Sequence, residues 1–247
     1  MYLTKDSRMA PKKMISDCAE CVLSKDCIPS GISTDNLHRF VGIVSTNISY
    51  KAGDVLFEQK AKAQHLFVVK TGSFKTQTTT PHGIEHVNNF FLPGELIGLE
   101  SASSGISCNT AIALEDGVAC KINYQQLTKL RQEFPSLSDF AVKIYSAALA
   151  LANEIQNNAT IQCASSRLAT FLVLYNRRLN AHGMQSLGLH LPMCREDIAS
   201  HLGLAVETIS RSFSKLITTG CIKKDGRRVQ ILNLEKLHDE ANLPPRK

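Results

Sequence analysis

The sequence has no tryptophan and only 6% aromatic residues. It has no uninterrupted apolar run of 18 residues, so no membrane span is expected. Met1 to Asp17 carries Lys5, Arg8, Lys12 and Lys13 but no apolar stretch, so no secretory signal is expected and the chain reads as cytoplasmic. Phosphate loops, dinucleotide glycine fingerprints, His-Glu-x-x-His and Gly-x-Ser-x-Gly are all missing, and no His–Asp pair stands ready to orient a thiol. Enzyme activity is therefore not expected. Collagen-like, mucin-like and wholly disordered readings fail on composition.

What is present is 247 residues, 43% of them apolar and 20% charged, enough for one large or two modest domains. The net charge of +6 is unevenly placed. Residues 164–247 hold 13 Lys and Arg against 7 Asp and Glu, while the first 163 residues hold 15 of each and are neutral. A basic last third is the footprint of a domain that faces a polyanion, nucleic acid before membrane.

The patterning changes twice along the chain. Residues 1–17 are polar and read as a disordered arm. From about Ser49 to Ile122, short apolar runs (Val55 to Phe57, Leu66 to Val69, Val87 to Leu92, Ala111 to Leu114) alternate with turns at Gly53, Gly72, Pro81-His-Gly83 and Pro93-Gly94. This spacing predicts a small all-β roll. Pro135 can open a helix, and Leu137 to Asn158 contains neither Pro nor Gly. Phe140 to Ala152 carries a single charge, Lys143, and is rich in alanine. Such a helix has more apolar surface than one neighbour can cover, and it reads as a dimerisation helix. A second helix is predicted from Ser165 to Leu179, followed by a loop containing Gly183 and Gly188.

Residues 195–219 predict two short helices, about 195–202 and 206–218, with Gly203 at a turn that needs positive φ. This is a helix-turn-helix pattern. With Val206, Ile209, Phe213 and Leu216 inward, the second helix offers Glu207, Ser210, Arg211 and Ser214 outward, with Lys215 alongside. Glu can accept from the cytosine amino group, Arg can fork onto guanine, and Ser can reach a base edge or a phosphate. Cys221 to Leu232 reads as a hairpin turning at Asp225-Gly226, a wing whose Lys223, Lys224, Arg227 and Arg228 suit phosphate contacts.

There are eight cysteines. In a reducing compartment a tight group reads as a metal site rather than as disulfides. Cys18-x2-Cys21-x5-Cys27 sets three thiols close together, and a fourth ligand has to come from Cys108 or Cys120. Spacing alone leaves zinc, an iron–sulfur cluster and metal-free reactive thiols open. Cys163, Cys194 and Cys221 read as small buried hydrophobes.

A β-roll, a long helix and a winged helix-turn-helix, in this order, resemble the CRP/FNR superfamily of bacterial transcription regulators. The segment Leu202-Gly-Leu-Ala-Val-Glu-Thr-Ile-Ser-Arg211 is similar to the recognition motif of its FNR branch, and the likeness extends over about residues 18–237. The resemblance implies an α+β chain in four parts: an arm with the cysteine segment (1–28), a cyclic-nucleotide-binding-like jelly roll (29–133), a dimerisation helix (134–163) and a winged helix-turn-helix domain (164–247). It implies a homodimer that reads TTGAT-type inverted repeats of double-stranded DNA through Glu207, Ser210 and Arg211, with RNA polymerase as a further partner. It also implies a 4Fe-4S cluster held by Cys18, Cys21, Cys27 and Cys120, since the distant ligand of that branch precedes a run like Lys121-Ile-Asn-Tyr124. Such a cluster makes DNA binding oxygen-responsive. A zinc-containing or cluster-free regulator without oxygen sensing is the alternative.

Departures from the family pattern matter as well. Ala205 stands where a capping Ser or Thr is usual, which costs about 1 kcal/mol of local stability. Leu151-Ala152-Asn153 lacks the carboxylate whose repulsion opposes pairing in oxygen-labile members, so a tighter dimer is expected, controlled through DNA-domain orientation. Gly94-Glu95 resembles the ribose-binding turn of cyclic-nucleotide rolls. However, residues 96–111 hold no Lys or Arg and Ser107 stands at the phosphate position, so no cyclic nucleotide is expected and Glu95 reads as a turn residue. His65, His82 and His86 read as surface residues rather than haem ligands.

Overall fold

The computed structural model describes Cys18 and residues 20–24, 27–161, 163–183 and 188–243. The polar arm 1–17 lies outside the described residues, as does part of the loop between Gly183 and Gly188. Among the described residues no helix is long and apolar enough to cross a membrane.

After a 3₁₀ turn at Ile28–Gly31 and a short helix α1 (Leu37–Val41), eight strands form the roll. They are β1 (Val44–Tyr50), β2 (Val55–Phe57), β3 (His65–Thr71), β4 (Phe74–Thr79), β5 (Glu85–Phe91), β6 (Leu96–Ile97), β7 (Thr110–Ala113) and β8 (Gly117–Asn123). One sheet runs β1-β8-β3-β6 and the other β2-β7-β4-β5, all pairs antiparallel. Side chains alternate across each strand, so Phe67, Val69, Phe74, Ile97 and Ala119 fill the space between the sheets.

Helix α2 (Tyr124–Glu133) is capped by Asn123, whose Oδ1 accepts from the Gln126 N–H at 3.0 Å. The long helix α3 (Pro135–Ile161) follows directly. It buries Leu137 and packs Phe140 and Ile144 on the β1-β8-β3-β6 side of the roll. Val142, Tyr145 and Leu149, spaced by three and four residues, stay 63, 40 and 63% exposed. They form one apolar stripe on an otherwise small-residue surface. Glu154, the carboxylate near its end, is bound by Arg177 at 3.2 Å.

Helix α4 (Ala164–Ala181), strand β9 (Leu189–His190), helices α5 (Arg195–Leu202) and α6 (Val206–Thr218), hairpin β10 (Ile222–Asp225) and β11 (Arg228–Ile231), and α7 (Leu234–Glu240) complete the chain. The two helices of the helix-turn-helix occupy the segments expected from the periodicity, and Gly203 between them has φ +63. Asp225 pairs with Arg228, so Gly226 and Arg227 are the central residues of the wing turn, one residue later than expected. Ile198, Ile209, Phe213, Leu216, Val229 and Leu237 form the core of this part, which also takes in Val87, Phe90 and Leu92 of the roll.

Candidate functional site

The first site follows from strand register. On β8, Ala119 points into the roll, so Cys120 points the other way, opposite Val68 of β3. The cysteine segment lies on that side. Cys18, Cys21, Cys27 and Cys120 line one pocket with Val68, Ile122 and Lys70. The Ser24 N–H donates to the Cys21 carbonyl and the Ser30 N–H to the Cys27 carbonyl, both at 2.9 Å, which folds the segment into successive turns. Burial pushes the Cys27 thiol up to about 12, against the lowering effect of the Ile28 backbone and with the Cys120, Cys18 and Cys21 sulfurs adding to the rise. Without a metal this sulfur keeps its proton, and a soft cation is the group that would displace it. Lys70 lines the pocket with its stem, while its Nζ donates to Asn47 Oδ1 at 2.7 Å. Its place there depends on β3–β8 register, which no local pattern reveals. Cys108 does not line this pocket; it is exposed in the loop before β7, with Sγ 3.9 Å from the Ile106 carbonyl.

The donor set fits a thiolate-bound iron–sulfur cluster in kind and number. Among the described residues no three His, Cys, Asp or Glu side chains stand close enough to hold a single metal ion. A closed zinc site draws four sulfurs to about 2.3 Å from one point.

The remaining cysteines correct one expectation. Cys221 is buried, but Cys163 and Cys194 are exposed. Each is the N-cap of a helix, α4 and α5 respectively, and so stands at the helix mouth rather than on a buried face. Cys194 Sγ accepts from the Asp197 N–H at 3.4 Å while Asp197 Oδ2 accepts from the Cys194 N–H at 3.3 Å, a thiol version of the capping box. Hydrogen bonds from Ser165 and Ser166 lower the Cys163 thiol to about 7.

The second site is the outer face of α6 with the wing beside it. Glu207, Arg211, Ser214 and Lys215 are exposed on α6, and Ser210 is half-buried. Arg195 Nη1 donates to Ser210 Oγ at 2.6 Å, and its guanidinium lies 5.3 Å over the Phe213 ring. Arg195 thus joins the exposed face from the first turn of α5, a placement set by helix crossing and missed by the sequence reading. Lys215 is drawn aside: Nζ donates to Ser165 Oγ at 3.0 Å and to Glu240 at 3.2 Å. In the wing, Lys223, Arg227 and Arg228 are exposed, while Lys224 donates to the Gly226 carbonyl and sits 5.7 Å over Phe213. The cap of α6 is indeed empty at Ala205.

The roll is joined to the C-terminal helices by a junction of long-range polar contacts. Arg178 of α4 donates from Nε to Glu95 Oε1 at 2.8 Å and from Nη2 to Oε2 at 2.5 Å. The Leu92 N–H donates to Oε2 at 2.9 Å, and His182 Nε2 stands 3.8 Å from Oε1. Burial by itself would raise the Glu95 carboxyl; the Arg178 charge, with His182 and the hydrogen bonds, more than reverses this and holds it at about 2. Glu95 is therefore a cross-chain anchor, which is more than the turn residue expected. Gly94 makes room for it: at φ +93 a Cβ would lie 2.6 Å from His182 Nδ1. Lys75 of β4 pairs with Asp197 at 2.6 Å, both side chains largely buried. Ser200 Oγ accepts from the Val87 N–H at 2.9 Å, and His201 packs on Phe90 and Phe171. Helix α5 is thereby seated on β5.

Two family signatures match the chain: a cyclic nucleotide-binding domain over residues 47–134 and a Crp-like helix-turn-helix domain over residues 166–240. The chain is 32% identical over 216 residues to the transcriptional activator protein FnrA of Stutzerimonas stutzeri, covering 87% of this chain and 88% of that one. It is 29% identical over 220 residues to the fumarate and nitrate reduction regulatory protein of Escherichia coli strain K12, covering 89% and 88%. Among solved structures it is similar to FixK2 from Bradyrhizobium japonicum, with a TM-score of 0.72 and 28% identity over 82% of this chain and 99% of the other.

Proposed function

This chain belongs to the FNR branch of the CRP/FNR superfamily of bacterial transcription regulators, and from that premise we propose that it is an oxygen-responsive regulator in which a 4Fe-4S cluster controls dimeric binding to TTGAT-type inverted repeats. The observation that carries the reading is the convergence of Cys18, Cys21, Cys27 and Cys120 on one pocket at the outer side of a roll strand. These four thiolates would hold the cluster. When bound, the cluster supplies an oxygen-labile crosslink between the N-terminal segment and β8. Cys27 and the 3₁₀ turn that follows it connect this crosslink to α3, because Ile28 packs in the same apolar cluster as Leu137, Phe140 and Ile144.

The apolar stripe Val142, Tyr145 and Leu149 supports pairing of α3 with its copy in a homodimer. With no carboxylate in Leu151-Ala152-Asn153 and Glu154 bound by Arg177, little charge opposes that pairing. Cluster-free protein is therefore expected to sediment as a dimer at micromolar concentration; a clean monomer contradicts this part of the proposal. Cyclic nucleotide is not part of the reading: Glu95 is already taken by Arg178, and nothing cationic lies between residues 96 and 111 to meet a phosphate.

The DNA-facing reading assigns base contacts to Glu207, Ser210 and Arg211 and phosphate contacts to Ser214, Lys215, Lys223, Lys224, Arg227 and Arg228. Lys215 would have to leave Glu240 to reach the backbone. Arg211→Ala removes one bidentate base contact per half-site, about 1–3 kcal/mol each. Operator affinity is expected to fall roughly tenfold or more at fixed salt, with less discrimination at the contacted base pair. Uniform weakening on every sequence would contradict base readout by Arg211.

A further inference from the structure

Between the roll, the long helix and the DNA-facing helices lies a pocket whose mouth is open to solvent. Its wall combines Asn89 of β5, Leu151 of α3, Arg167, Phe171 and Tyr175 of α4, and His201 of α5. Most of this wall is aromatic or aliphatic. Two guanidinium groups reach it, and they differ. Arg178 is neutralised by Glu95. Arg167 donates from Nη1 to the Leu202 carbonyl at 3.3 Å, but its Nε is buried without a hydrogen-bond partner, and among the described residues no carboxylate pairs with it. A guanidinium with one carbonyl partner and no counter-charge is electrostatically uncompensated, and an anion in the pocket supplies that charge. Asn89 Oδ1 accepts from the Phe90 N–H at 2.9 Å, which leaves its amide hydrogens for a second acceptor.

We propose that this pocket binds a small organic carboxylate with an apolar body, its carboxylate on Arg167 and its alkyl or aryl part against Phe171, Tyr175 and Leu151. An apolar lining with few directed polar groups is what such ligands need. The occupant would touch β5, α3, α4 and α5 together. It would stabilise the seating of the DNA-facing helices on the roll and shift operator affinity by the difference in its binding to the seated and unseated arrangements. This inference stands apart from the cluster and does not require it.

The test uses the full-length protein, the fluorescent anion 8-anilinonaphthalene-1-sulfonate as reporter, octanoate as competitor and 1-octanol as its uncharged counterpart. One saturable dye site per chain is expected, displaced by octanoate far more readily than by 1-octanol. Arg167→Met is expected to weaken octanoate roughly tenfold to a hundredfold, the worth of a charge-assisted hydrogen bond. Arg131→Met serves as the control, because Arg131 lines a separate apolar pocket and also has an unpartnered Nε. If Arg167→Met does not fold, Arg167→Lys and Leu151→Phe replace it: the first is expected to keep octanoate displacement and the second, by filling the cavity, to lose it. Octanoate affinity untouched by Arg167→Met, equal displacement by 1-octanol, or loss of the site in Arg131→Met overturns the proposal.

Discussion

Purified without oxygen, the native protein is expected to be brown with bound iron and sulfide, and Cys120→Ala is expected to be paler and to retain much less of both. Cys108→Ala is expected to match the native protein. The contrast follows from the two positions. Cys120 leaves β8 on the face where Cys18, Cys21 and Cys27 gather, whereas Cys108 is exposed in a loop away from that pocket. A cluster held by only three protein thiolates would leave one iron open to exchange, so loss of the fourth ligand is expected to make it labile and to lower the iron and sulfide recovered. A colourless native protein with one zinc per chain would favour the non-sensing alternative. Iron lost from Cys108→Ala and kept by Cys120→Ala would reverse the ligand assignment.

The largest stability effect is expected at Arg178. Glu95 is largely buried and takes three hydrogen bonds, two of them from this guanidinium. Arg178→Met strands a buried carboxylate, and breaking such a pair from one side costs about 3–5 kcal/mol. For a chain of this size that is a fall of roughly 6–20 °C in melting temperature. The double variant Arg178→Met with Glu95→Gln removes both charges and is expected to recover much of the loss. The acid response separates the variants further. In the native protein the Glu95 carboxyl is held at about 2, below its usual value of 4.5. The unfolded chain therefore binds more protons in this interval, and the contribution of the pair is complete above pH 4.5 and lost as pH falls toward 2. Without Arg178 the largest lowering contribution is gone and burial is opposed only by His182 and the Leu92 N–H, so the carboxyl rises and the loss of stability in acid at this site shrinks. Thermal melts at several pH values read the difference directly. A variant that melts like the native protein, or one whose acid response is as large as the native one, would show that the pair does not hold the junction.

The DNA-facing half of the molecule was the more legible in the sequence. Ile198, Leu202, Val206, Ile209, Phe213 and Leu216 repeat at helical spacing on both sides of Gly203, and the wing announces itself through Asp225-Gly226. These are local signals, and local signals survive in a linear reading. The roll was legible as a class through its turns, but its register was not. Register is what puts Cys120 and Lys70 on the same pocket wall. The junction was hidden for the same reason: Glu95 meets Arg178 across 83 residues and Lys75 meets Asp197 across 122, and no periodicity links them. Arg195 could have been suspected only from a basic residue opening the first helix of the motif. The two exposed cysteines were misread because their neighbours are apolar. Their position one residue before a helix start was the better guide, since an N-cap side chain faces outward to the first turn.

One measurement bears on the central claim most directly: operator affinity of a single oxygen-free preparation, with iron and sulfide assayed on the same sample, before and after exposure to air. Tight, sequence-specific binding by iron- and sulfide-containing protein, lost in parallel with the cluster, is the predicted result. Equal affinity before and after air, in protein that never contained iron or sulfide, would contradict it.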